Sequence, residues 1–112
     1  MSDTLRDLIQ STINLHERFG VIPQFDVTLK VFQEEVHELI EAAQAGTDLQ
    51  HIAEEAADVF VTAIGMCLAA GVDGEAIISQ TRAVIAKNDA KTHATHAINE
   101  HGKIARLSKR DE

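Results

Sequence analysis

The chain has 112 residues, 45% of them hydrophobic and 4% aromatic, with a single Cys, a single Pro and a net charge of −8. That length fits one domain with a modest core. Cys67 alone rules out an intrachain disulfide and reads as a small hydrophobe in an apolar run. No apolar stretch approaches the ~20 residues needed to span a bilayer, and Met1 to Gln10 is polar and charged, so a cytoplasmic protein without a membrane partner is expected.

Ala, Leu, Ile, Glu and Gln are plentiful and β-branched runs are short, which favours helix. Apolar periodicity and punctuation predict four. The first runs from Asp3 to Phe19, with Ser2 or Asp3 as cap, Gly20 closing it and Pro23 enforcing the stop. The second spans about Asp26 to Ala45 and ends at Gly46. Thr47 or Asp48 caps the third, which reaches Ala70 before Gly71. Asp73 caps the fourth, which continues to about Lys91. The polar remainder, His93 to Glu112, is rich in His, Lys and Arg. Composition leaves it open as a short helix, an arm or a disordered tail. The expected organisation is therefore an all-α domain over residues 1–92 followed by a basic tail over 93–112.

Charge is distributed unevenly. Residues 31–81 hold ten acids and neither Lys nor Arg, whereas 82–112 hold seven basic residues and four acids. The acidic centre argues against a nucleic-acid polymer as partner. Within it, helices two and three echo each other: Glu34-Glu35-Val36-His37-Glu38-Leu39 returns twenty residues later as Glu54-Glu55-Ala56-Ala57-Asp58-Val59. Each pair three apart, Glu35 with Glu38 and Glu55 with Asp58, shares a helical face. Each also flanks an apolar stripe: Leu29, Phe32, Val36, Leu39, Ile40 and Ala43 in one helix; Leu49, Ile52, Ala56, Val59, Phe60, Ala63 and Cys67 in the other. The short link at Gly46 predicts an antiparallel hairpin, in which the two acid pairs are able to converge. Four carboxylates meeting beside a core need compensation, and a hard divalent cation is the simplest source.

The arrangement Glu34-Glu35-x-x-Glu38, sixteen residues, Glu55-x-x-Asp58 resembles the signature of the all-α nucleoside triphosphate pyrophosphohydrolase superfamily. That group includes MazG-like proteins, dimeric dUTPases and phosphoribosyl-ATP pyrophosphohydrolases, and the likeness is greatest to the MazG-like members. His16-Glu17-Arg18-Phe19-Gly20 and Lys87-Asn88-x-x-Lys91 resemble flanking elements of the same group. The resemblance implies a four-helix MazG-like bundle completed by dimerisation, with a tetramer as the larger alternative. It implies cleavage of a nucleoside triphosphate between the α and β phosphates to a monophosphate and pyrophosphate, with Mg²⁺, or Mn²⁺ in its place. Carried over residue by residue, Glu35, Glu38, Glu55 and Asp58 become metal ligands. Glu35 and Glu34 become catalytic, Glu34 in preference to Glu54 as the residue that orients water, acts as base or holds an additional metal. Lys87, Asn88 and Lys91 become phosphate or sugar contacts, and His16 and Phe19 walls of a base pocket.

Two other readings compete. The chain could be a non-catalytic helical dimer acting as an interaction or regulatory module, but all four ligand positions are acidic. It could be a di-iron bundle, since Glu34-x-x-His37 is one Glu-x-x-His element, but the second that such sites need is missing.

Overall fold

A computed structural model of the protein describes residues 3–107. The described residues form four helices, α1 (Thr4–Arg18), α2 (Phe25–Ala45), α3 (Leu49–Ala69) and α4 (Gly74–Asp89), followed by two short strands, β1 (His96–Ile98) and β2 (Ile104–Arg106). The expected all-α class and all four helices are found. Ser2, one of the two residues considered as first cap, and the last five residues of the tail lie outside the described residues.

Local chemistry sets the helix ends. Asp3 accepts from the Arg6 backbone N–H at 3.1 Å, Asp48 from His51 at 3.1 Å and Asp73 from Ala76 at 2.8 Å, each satisfying an amide that the first turn leaves free. Gly46 closes α2 at φ 66°, a left-handed conformation that Gly adopts without a Cβ penalty, and its N–H returns to the Ala42 carbonyl. α2 begins at Phe25 with Gln24 at the cap position and no side-chain bond to hold it.

Two units divide the chain, one up to Ile78 and one from Ser79. In the first, α2 and α3 pack as the predicted hairpin and α1 lies against α3. The small core is Ile9, Ile64 and Ile78, with Leu5, Leu8, Ile13, Leu68 and Ile77 packed on it. Thr12 is buried beside them and its hydroxyl donates to the Leu8 carbonyl. Arg6 of α1 pairs with Glu75 at the start of α4.

The apolar stripes are only partly covered. Phe32, Val36, Leu39, Ile52, Ala56 and Val59 are half-buried. Phe60 remains 61% exposed and Leu49 78%. Along the 21 residues of α2 only Ala42 is buried.

The second unit contains the end of α4 and a hairpin where the sequence suggested helix, arm or disorder. β1 and β2 pair antiparallel, His96 opposite Arg106, Ala97 opposite Ala105 and Ile98 opposite Ile104. Asn99 organises the turn: its side-chain oxygen accepts from the backbone of His101 at 2.9 Å and of Lys103 at 3.0 Å. Gly102 supplies the left-handed residue at φ 80°. Among the described residues, no helix is long and apolar enough to cross a membrane.

Candidate metal centre

The α2–α3 hairpin brings the two acid pairs together. Oxygens of Glu35, Glu55 and Asp58 all lie within 4.8 Å of one another, and Glu38 stands against both Glu35 and Glu55. The reason is helical phase: a spacing of three keeps each pair on one face, and the tight turn at Gly46 sets those faces side by side.

The electrostatics are adverse for carboxylates without a partner. The Glu55 side chain is only 14% exposed. One oxygen each of Glu35 and Glu55, Oε2 in both, is buried with no hydrogen-bond partner. Burial first, then the charge and hydrogen bond of Glu38, then Asp58 and Glu55 push the Glu35 carboxyl above its ordinary range. Glu55 is pushed up as well, by burial and then by Glu38, with His51 opposing. His51 flanks the cluster, its ring nitrogens 3.8 Å from Glu54 and 3.8 Å from Glu55. Buried acceptors are normally satisfied, and a donor set made only of carboxylate oxygens matches a hard cation such as Mg²⁺ or Mn²⁺. The residues present therefore fit a divalent metal.

Glu34 is exposed and is not among the carboxylates that converge. Glu54 is engaged by His51. His37, on the polar side of α2, pairs with Glu41 at 2.9 Å.

His16 and Phe19 line a separate apolar cavity of about 440 Å³ in the first unit, together with Thr12, Leu15, Val27, Val31, Val61 and Gly65. Phe19 is 72% exposed. Gly65 faces the His16 ring across this wall: a Cβ there would stand 4.0 Å from His16 Cε1, an ordinary contact. Sequence reasoning did not single out Val31, Val61 or Gly65; their only signal was a position on an apolar helical face. Lys87, Asn88 and Lys91 fall in the second unit, where the Lys91 ammonium donates to Asn88 Oδ1 at 3.0 Å.

A family model described as phosphoribosyl-ATP pyrophosphohydrolase matches residues 3–83, which contain the whole acidic cluster. No curated protein and no solved structure matches the chain significantly.

Proposed function

The chain belongs to the phosphoribosyl-ATP pyrophosphohydrolase family, within the MazG-like superfamily, and on that premise we propose that it hydrolyses a nucleotide triphosphate moiety between the α and β phosphates, using divalent metal held by Glu35, Glu38, Glu55 and Asp58. The observation that carries the reading is the pair of buried, unpartnered oxygens on Glu35 and Glu55, whose carboxylates cluster with that of Asp58. A divalent cation bound there supplies charge for phosphate oxygens and acidifies water.

This chain's own residues do the positioning. Glu35 and Glu55 come from facing helices and fix the ligand oxygens on rigid elements. His51, 3.8 Å from both Glu54 and Glu55, stands where a partner that orients a ligand carboxylate is expected. Glu34, exposed one residue before Glu35, is the residue we assign to orienting water or accepting its proton. Lys87, Lys91 and Asn88 are assigned to the phosphates and sugar, and His16 and Phe19 to the base.

The test is pyrophosphate release from phosphoribosyl-ATP and from a panel of ribo- and deoxyribonucleoside triphosphates, with Mg²⁺, with Mn²⁺ and with chelator. Metal-dependent release is expected. Turnover of phosphoribosyl-ATP alone identifies the substrate in the family's name, and turnover of the triphosphates alone identifies the wider nucleotide reading. No release from any of them overturns the proposal.

We also propose that the functional form is a homodimer, or a dimer of dimers. A helix such as α2, with one buried residue in 21, gains little from its own chain, and most helical stability comes from packing an apolar face. Sedimentation equilibrium is expected to give at least two chains per particle, and Phe60→Glu is expected to shift the population towards one. A single-chain mass at micromolar concentration overturns this.

A further inference from the structure

The unit from Ser79 onward carries chemistry of its own. The family match ends at residue 83, before the hairpin. His96 and Arg106 are direct cross-strand partners, so both sit on one face of the ribbon, an arrangement that costs stability when both are charged. Lys87 in the last turn of α4 and Lys91 just beyond it line the same hollow as Thr95, His96 and Arg106, a space of about 250 Å³ with no acidic side chain in its wall. Among the described residues, no ion pair involves Lys87, Lys91 or Arg106. Lys91 meets only the neutral Asn88 amide. The His96 imidazole is held below its ordinary value by burial and then by Lys91, Arg106 and Lys87, so all three cations act on one point. A larger hollow of about 740 Å³ shares Lys91 and His96 and is walled by Ile98 and Ile104.

We infer that Lys87, Lys91, His96 and Arg106 form a binding site for a phosphate group. Three cations, from α4, the segment just after it and β2, converge without a counter-charge, and a phosphate supplies it while accepting several hydrogen bonds at once. Arg106 offers a planar fork suited to two phosphate oxygens, and the lysines offer point charges. The phosphate arrives either as inorganic pyrophosphate or on a nucleotide, whose remainder the adjoining apolar hollow has room for. Lys87 and Lys91 are the lysines assigned above to substrate phosphates; the hairpin adds Arg106 and His96, and the site does not depend on the acidic cluster.

The experiment is calorimetric titration of the full chain with inorganic pyrophosphate and, separately, with ATP. Both are run in chelator and about 0.15 M chloride, where weak surface attraction is screened. Saturable binding of at least one probe is expected, and the tighter one identifies the source. Arg106→Gln is expected to weaken it at least about tenfold, the scale of one charged hydrogen bond. Asp58→Asn is expected to bind as the unaltered protein does, which separates this site from the metal centre. NMR titration of His96 in the unaltered protein gives a readout that needs no variant: a bound anion is expected to raise its pKa. Absence of saturable binding, indifference to Arg106→Gln, loss of binding in Asp58→Asn or an unmoved His96 titration overturns the inference.

Discussion

Asp58→Asn is expected to lower kcat/KM for pyrophosphate release by at least about a hundredfold, ~2.7 kcal/mol of transition-state stabilisation, without destabilising the metal-free fold. The magnitude follows from position. Partners that merely orient metal ligands cost ~10–100-fold when removed, and the role proposed for Asp58 is that of a ligand itself. The lack of structural damage follows from its surroundings. Asp58 is exposed on α3, and its charge raises the pKa of both Glu35 and Glu55, so its removal relieves repulsion in the absence of metal. A loss of activity accompanied by an unchanged or higher melting temperature in chelator separates a lost ligand from a lost fold. Glu41→Gln, whose carboxylate pairs with His37, is the matched control and is expected to leave turnover unchanged. Full activity in Asp58→Asn sinks the proposed ligand assignment.

The acidic cluster was legible because it depends on two local rules, helical phase and a short Gly turn, both written in consecutive residues. Neither rule needs knowledge of what else packs nearby. The apolar stripes were less so. Ile40, Leu49 and Phe60 lie on stripes that periodicity assigns to a core, yet all three are exposed in the single chain. Periodicity identifies which side of a helix avoids water, not which surface covers it. Conversely, Ile64 and Gly65 are buried because α1 lies over that part of α3, a long-range event that no spacing within α3 announces. The C-terminal hairpin had a signal that polar composition masked: Asn99 and Gly102 within a five-residue link, with His96-Ala97-Ile98 and Ile104-Ala105-Arg106 on either side. That is a turn pattern between short strands. Three-residue strands carry too little periodicity to stand out beside six charged or His positions.

Adding Mg²⁺ at neutral pH is expected to raise the melting temperature, and the increment is expected to shrink as pH falls. Without metal, the Glu35 and Glu55 carboxyls titrate above the ordinary carboxylate value of 4.5. Between that value and the raised ones the folded chain holds more protons than the unfolded chain, so stability falls as pH rises through the window and stays low above it. In chelator, the contribution of these two groups is therefore unfavourable at pH 7 and is relieved on acidification. Metal reverses the balance, because the same oxygens that repel each other become its ligands, and protons then compete with it. At a Mg²⁺ concentration a hundred times its Kd the gain is ~2.7 kcal/mol, which for a domain of this size is on the order of 10 °C. Glu35→Gln tests the same balance from the other side. It keeps the side-chain shape, removes one of the two buried charges, and is expected to raise the melting temperature in chelator while abolishing most of the Mg²⁺ increment. Scanning fluorimetry across pH 5 to 8, with and without Mg²⁺, reads all of these together. A Mg²⁺ increment that is absent at neutral pH, independent of pH, or intact in Glu35→Gln would place the metal somewhere other than the α2–α3 hairpin.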